Sequence, residues 1–130
     1  MDFNAHLRNT AFLDMSGDVR MMYFQANGFT AAEFARLGLG PVIMEDTLQY
    51  RREFNLLEPI RVTLATLGAT ADGKRFRVRN RFYKVDGELA ATVTSAGGWL
   101  DLNTRRFVVP PDGLKAAMDA MPRDDEYAPL

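Results

Sequence analysis

Four polar residues stand within eight positions near the start of the chain, namely Asp2, Asn4, His6 and Asn9. They directly precede a stretch with a helical pattern, and the first backbone N–H groups of a helix carry a partial positive charge of about 0.5. Such N–H groups bind a carbonyl oxygen well as it gains negative charge during acyl transfer. A carboxylate beside them could attack the carbonyl or activate a water. The segment is a candidate acyl-transfer site, with ordinary helix capping as the alternative.

Other kinds of chemistry find little support in the sequence. His6 is the single histidine, and the chain contains no cysteine, which excludes a histidine metal cluster, a thiolate metal site, a disulfide and a cysteine nucleophile. A lone histidine near a helix start also has a structural interpretation, as a hydrogen-bonded side chain. Neither Ser16 nor Ser95 has the G-x-S-x-G setting of a serine nucleophile. We expect no metal and no cofactor.

The chain is nearly neutral in charge. Sixteen basic and seventeen acidic residues give a net charge of −1, so no overall field attracts nucleic acid or an anionic membrane. A hydrophobic content of 47% in 130 residues is enough for one core. The sequence shows no signal peptide and no apolar run of the roughly 18 residues that a membrane span needs. We expect one cytoplasmic domain over residues 1–122 and a solvated tail over residues 123–130.

A long helix is predicted over Asn9–Asn27, which contains no proline and repeats apolar residues at helical steps. Apolar residues occupy most of its circumference, so we expect other elements to enclose it on several sides. Gly28 suits the left-handed end of this helix, and Thr30 can cap a second helix over Ala31–Leu37. The main apolar face of the long helix consists of Phe12, Met15, Val19, Met22 and Ala26.

After Pro41 the apolar residues alternate, which predicts strands. Turn signals at Ala71–Lys74 and Asp86–Gly87 indicate antiparallel hairpins, in which consecutive strands are neighbours. Gly97 and Gly98 indicate a bulge, a bend or a close approach by another backbone. We expect an α+β fold in which an antiparallel sheet of four or more strands wraps the long helix. The predicted strands are Val42–Phe54, Ile60–Leu67, Arg75–Val85 and Glu88–Leu102, with Phe107–Val109 as a continuation, and a last helix is predicted over Asp112–Met121.

The run D-F-N-A-H-L-R-N-T-A-F-L at Asp2–Leu13, followed by a long helix that ends at Gly28, resembles a known signature. It is similar to that of hotdog-fold acyl-CoA thioesterases in the 4-hydroxybenzoyl-CoA thioesterase-like branch. Three later segments are similar to that branch in order and spacing: Tyr50–Phe54, Asp86–Ala90 and Asp101–Arg106. The resemblance covers nearly the whole chain and implies a hotdog fold, a curved antiparallel sheet around one central helix.

The same resemblance implies an activity, the hydrolysis of an acyl or aroyl thioester to a carboxylic acid and coenzyme A. By this resemblance Asp2 is the catalytic carboxylate, acting as nucleophile or as general base toward water. His6 and Asn9 match positions that orient the loop or the thioester at the start of the helix. The resemblance also implies a homodimer paired edge to edge, with dimers stacked into a homotetramer as the alternative. It further implies an acyl-CoA cleft at the dimer interface.

A hotdog protein that binds acyl thioesters without hydrolysing them is the alternative function. Family members place a strand before the catalytic carboxylate, whereas only Met1 precedes Asp2 here, so the sheet lacks that strand or the chain begins late. Arg8 and Phe12 stand where many relatives have Asn and Tyr. A hotdog dehydratase fits less well, because those enzymes use a differently placed histidine and carboxylate.

Four arginines alternate along the third predicted strand and therefore share one face: Arg75, Arg77, Arg79 and Arg81. Because arginine forks bind phosphate well, one interpretation is a site for the nucleotide end of coenzyme A or for another polyanion. The favoured interpretation is a solvated face neutralised by acids such as Glu45 and Glu53, or part of a subunit contact.

Overall fold

The structure, a computed structural model, describes residues 9–53 and 58–130. These residues form three helices and four strands. In chain order they are α1 (Asn9–Ala26), α2 (Ala31–Leu37), β1 (Leu39–Tyr50), β2 (Arg61–Ala69), β3 (Arg75–Tyr83), β4 (Leu89–Asp101) and α3 (Asp112–Ala120). Of the helices in this part of the chain, none has the length and apolar character to cross a membrane.

The four strands form one antiparallel sheet in the order β1-β4-β3-β2. The strands β2, β3 and β4 are consecutive neighbours, which confirms the two predicted hairpins. β1 pairs with β4, however, so the prediction that consecutive strands are neighbours is wrong for β1 and β2. The hairpins leave one side of the 13-residue β4 free, and the 12-residue β1 pairs along that side.

The ends of some elements differ from the prediction. β1 begins at Leu39, before Pro41. Pro41 is tolerated in the strand because β1 lies at the sheet edge, where the missing N–H need not remove a ladder bond. Phe107 forms only an isolated bridge with Leu100, so the predicted continuation over Phe107–Val109 is not a strand.

Gly97 and Gly98 allow two segments to lie close to β4. A Cβ atom on Gly97 would be 2.0 Å from the carbonyl oxygen of Val42 in β1. A Cβ atom on Gly98 would be 2.7 Å from the ring of Phe107. The sequence-based prediction of a close backbone approach is confirmed here, and β1 also bulges opposite this stretch.

α1 lies against the inner face of the sheet. Phe12, Ser16 and Phe24 are each 1% exposed, and they recur at whole turns of the helix. Met22, by contrast, is 67% exposed, and Met21 is 36% exposed. The sheet of a single chain covers one side of α1, so the enclosure on several sides that the sequence predicts is incomplete here.

The core contains two apolar clusters that lie along α1. Phe12 meets Phe82 with ring centroids 5.1 Å apart, and Phe24 meets Trp99 at 5.4 Å. Because Ser16 lies between Phe12 and Phe24 on the helix, it separates the two clusters on the α1 side. The cluster under the start of α1 contains Phe12, Phe82, Ala90, Ala91 and Val93. The larger cluster contains Phe24, Phe34, Leu39, Phe76, Val78, Trp99, Leu114, Met118 and Met121.

The C-terminal segment after α3 lies against β2. The backbone N–H of Thr66 donates to the carbonyl oxygen of Pro122 at 2.8 Å, and the N–H of Asp124 donates to the carbonyl oxygen of Thr66 at 2.9 Å. Most side chains over residues 123–130 are exposed, but Asp124 is buried. The prediction of a solvated tail is therefore wrong at Asp124, whose carboxylate pairs with Arg79 and Arg81 of β3.

Trp99→Ala should lower the free energy of unfolding by about 3–5 kcal/mol, because Trp99 is fully buried among aromatic rings and the smaller side chain leaves a cavity. Urea titration followed by circular dichroism measures the change. The matched control is Val85→Ala, which removes a side chain that is 85% exposed and should change stability by less than about 0.5 kcal/mol. Equal effects for the two variants would contradict this account of the core.

Candidate active site

The described part of α1 begins at Asn9 and runs to Ala26, within the helix that the sequence predicts over Asn9–Asn27. The first four backbone N–H groups of any helix have no acceptor within that helix, so they can bind a ligand oxygen. Asp2 and His6 lie outside the described residues, and Asn9 is the first residue of α1. The predicted roles of these three side chains therefore stay predictions.

An aromatic group lies one turn beyond this helix end. The ring of Phe12 contacts the edge of Phe82 at 5.1 Å between centroids and that of Tyr50 at 5.4 Å. Phe12 and Phe82 are buried, whereas Tyr50, at the end of β1, is 47% exposed. Burial raises the pKa of the Tyr50 hydroxyl, so this group stays protonated at neutral pH. The part of this apolar wall that a substrate can reach is the exposed ring of Tyr50, which suits the acyl part of a substrate.

A basic segment follows the aromatic group. The backbone N–H groups of Arg51 and Arg52 both donate to the carbonyl oxygen of Ala90, at 2.7 and 2.9 Å. The guanidinium of Arg52 forms an ion pair with Glu88. Arg51 is exposed and borders a surface depression that it shares with Gln49 and Tyr50. Positive charge therefore lies at the surface beside the apolar wall.

A polar trio joins α1 to the sheet further along the helix. Ser95 of β4 is fully buried, and its hydroxyl donates to Asp46 Oδ1 of β1 at 2.5 Å. Arg20 of α1 donates from Nη1 to Ser95 Oγ at 3.2 Å. Burial lowers the pKa of Arg20, and the nearby Asp46 carboxylate opposes that change. The trio ties the middle of the helix to β4 and β1.

This trio is too far from the start of α1 to act on the same substrate carbonyl. Arg20 follows Asn9 by eleven residues, which at 1.5 Å per residue is about 16 Å along the helix. We therefore assign Arg20, Ser95 and Asp46 a structural role. The sequence-based predictions did not include this trio, although polar residues at inward positions of two strands were the available signal.

Two of the four arginines on β3 are neutralised by the C-terminal segment. Arg79 lies 3.3 Å from Asp124 and 3.4 Å from Glu126, and Arg81 also pairs with Asp124. The favoured interpretation, a face neutralised by acids, is confirmed for these two arginines, but their partners are not the predicted Glu45 and Glu53. The guanidinium of Arg75 lies over the ring of Phe107, 4.4 Å from its centroid.

The donor groups of the described residues do not suggest a metal site. Over residues 9–53 and 58–130, no three side chains of histidine, aspartate or glutamate are close enough to hold a metal ion together.

The match to a protein family includes the start of the chain and most of the fold. The family model of the thioesterase-like superfamily matches residues 1–118, a range that includes Asp2, His6 and Asn9. The chain belongs to the thioesterase-like superfamily. This membership confirms the resemblance drawn from the N-terminal motif and the predicted class of activity, thioester hydrolysis.

Solved structures with the same architecture include a Staphylococcus aureus protein, SAV2348, in complex with CoA. It is 23% identical, the alignment covers 95% of this chain and 80% of that one, and the TM-score is 0.84. Slr0204, a 1,4-dihydroxy-2-naphthoyl-CoA thioesterase from Synechocystis, is 13% identical over 92% of this chain and 88% of its own, with a TM-score of 0.81. The BH1999 gentisyl-coenzyme A thioesterase is 15% identical over 91% and 90%, with a TM-score of 0.78. These matches confirm the hotdog fold.

A search of curated protein sequences finds no significant match to this chain. The superfamily and the hotdog fold therefore rest on the family model and on the solved structures.

Ser95→Ala should lower the free energy of unfolding by about 1–3 kcal/mol, because the half-buried Arg20 loses an acceptor and Asp46 loses a donor. Chemical denaturation measures the difference. Thr47→Ala is the control, since Thr47 follows Asp46 on β1 and is exposed, and its change should stay within about 0.5 kcal/mol. A Ser95→Ala variant as stable as the control would show that the trio contributes nothing.

Proposed function

We propose that this protein hydrolyses an acyl-CoA or aroyl-CoA thioester at the N-terminal end of α1, with Asp2 as the reacting carboxylate. The observation that supports the proposal is the family match over residues 1–118, which includes the motif from Asp2 to Asn9 and the helix α1 that follows it. By the resemblance drawn from this motif, Asp2 is the catalytic carboxylate, and it would act beside backbone N–H groups at the start of the helix.

The proposed chemistry begins when the thioester carbonyl oxygen is bound by the N–H groups at the start of α1. As a nucleophile, Asp2 forms a bond to the carbonyl carbon, the carbon–sulfur bond breaks, and water then hydrolyses the mixed anhydride. As a general base, Asp2 instead takes a proton from the water that attacks the carbonyl. Either route ends with a carboxylic acid and the coenzyme A thiol. His6 and Asn9 orient the loop or the thioester.

Two features of the described residues support this placement of the substrate. The acyl or aroyl group would lie against the exposed ring of Tyr50, which packs on the buried Phe12, since apolar and aromatic side chains line most small-molecule sites. The exposed guanidinium of Arg51 would meet the phosphates of coenzyme A. Aroyl thioesters are included because two structural neighbours are named as thioesterases for aromatic CoA thioesters.

Asp2→Asn should reduce the rate of thioester hydrolysis by about 10²–10⁴-fold, because an amide can act neither as nucleophile nor as base. The assay follows free thiol release from a panel of aliphatic acyl-CoA and aromatic acyl-CoA substrates. Asp112→Asn is the control, since it makes the same chemical change at an exposed position at the start of α3. Its rate should equal that of the wild type.

Two outcomes would contradict the proposal, and a trapping experiment separates its two routes. Wild-type rates in Asp2→Asn would remove Asp2 from the mechanism. A wild-type protein that binds acyl-CoA by calorimetry but releases no thiol from any substrate would favour the non-catalytic binder. If hydroxylamine added during turnover converts the Asp2 carboxyl to a hydroxamate, detected by mass spectrometry, the mixed anhydride and the nucleophile route are assigned. Hydrolysis without any hydroxamate on Asp2 would assign the general base.

We further propose that the protein works as a cytoplasmic homodimer, paired through the edge of β1. Within the described part of the chain, β1 has a strand partner on one side only, and open strand edges readily pair. Large apolar side chains are exposed on β1 and on α1, with Met44 at 62% and Met22 at 67%. A second copy would cover such side chains.

Sedimentation equilibrium should give a mass twice the 14.6 kDa of one chain. Hydrogen exchange on the same sample should show slow exchange along β1, because dimer pairing adds hydrogen bonds to its open edge. A monomer mass at micromolar concentration would contradict the dimer, and a mass four times that of one chain would indicate a homotetramer made of two dimers.

A further inference from the structure

The segment 122–130 follows the outer edge of β2, the sheet edge opposite β1. Four backbone hydrogen bonds join them: Thr66 N–H to Pro122 O at 2.8 Å, Asp124 N–H to Thr66 O at 2.9 Å, Ala128 N–H to Leu67 O at 3.0 Å, and Leu130 N–H to Ala69 O at 3.2 Å. An edge strand otherwise presents such groups to another chain. The end of the chain therefore occupies the pairing groups of β2 from Thr66 to Ala69.

Asp124 anchors this segment on the outer face of the sheet. Its carboxylate accepts hydrogen bonds from Arg79 and Arg81, and its side chain is inaccessible to solvent. Burial on its own would raise the pKa of Asp124. The hydrogen bond from Arg81, the N–H of Glu126 and the charges of both arginines outweigh burial, so this pKa lies below its ordinary value. The segment is thus held by charge as well as by backbone pairing.

The backbone of β2 is shaped to receive the segment. A Cβ atom on Gly68 would lie 2.1 Å from the carbonyl oxygen of Ala128, which is far inside contact distance. Gly68 also has a φ of +152°, and β2 bulges between Thr66 and Gly68. A residue with a side chain at this position would push the segment away.

We propose that segment 122–130 is a built-in cover for the β2 edge, which keeps this edge from pairing with the β2 edge of a second copy and leaves β1 as the edge for assembly. The cover does not depend on hydrolytic activity, whereas the role of β1 rests on the homodimer proposed above. The four hydrogen bonds occupy the pairing groups, the ion pairs of Asp124 fix the segment, and Gly68 makes room for it.

Gly68→Ala in the full-length chain tests the cover. The added methyl group should displace the segment, raise amide exchange at Thr66 by about tenfold or more, and produce species heavier than the wild type as concentration rises. Gly87→Ala is the matched control, because Gly87 also has a positive φ, +90°, but no atom lies within 4 Å of the added carbon. The control should keep the wild-type exchange at Thr66 and the wild-type mass distribution by light scattering.

Asp124→Asn tests whether segment 122–130 covers the β2 edge without changing the backbone. This variant decides the question if Gly68→Ala does not fold. It should show faster exchange at Thr66 and heavier species, whereas Asp125→Asn, at the exposed neighbouring position, should behave as wild type. Unchanged exchange at Thr66 in Asp124→Asn would overturn the proposal. Faster exchange with no increase in mass would overturn it too, because the uncovered edge would then not attract a second copy.

Discussion

The burial of one face of α1 against the sheet is the interaction on which the rest of the structure depends. In proteins, most of the stability of a helix such as the 18-residue α1 comes from packing of its apolar face rather than from intrinsic helix propensity. Each fully buried Phe side chain contributes about 1.5–3 kcal/mol, so Phe12 and Phe24 together supply much of what holds the helix in place. The contact of Phe12 with Phe82 lies one turn from Asn9. The direction of the N–H groups at the proposed active site is therefore set by aromatic packing.

Polar groups in the middle of this interface restrict how the helix can sit. Arg20 donates a hydrogen bond to the Ser95 hydroxyl, which in turn donates one to the Asp46 carboxylate. If α1 were rotated or shifted by a turn, a half-buried guanidinium would lose that acceptor, which is costly in a core. The two apolar clusters provide most of the stabilisation, while the polar trio selects one position of the helix. Together these contacts fix the position of α1 on the sheet, and with it the position of Asn9.

The sequence predicted the helices and hairpins well because local patterns determine them. Turn signals and alternating apolar residues were enough to predict β2, β3 and β4, and the N-terminal motif was enough to identify the superfamily. The pairing of β1 with β4 was missed because it joins residues about fifty positions apart, and no local pattern carries that information. The partners of Arg79 were missed for the same reason, since Asp124 lies 45 residues away. Within the candidate site, the roles of Asp2 and His6 still rest on the sequence motif.

The position of Trp99 gives the protein an internal optical reporter. It is the only tryptophan in the chain, it has no exposed surface, and it contacts Phe24, Phe34 and Phe76. Its fluorescence therefore reports on the larger apolar cluster, where α1, α2, β3 and β4 meet. The cluster around Phe12 contains no such fluorophore. Loosening of the helix start during substrate entry would leave the emission unchanged, whereas separation of the far end of α1 from the sheet would shift it to longer wavelength.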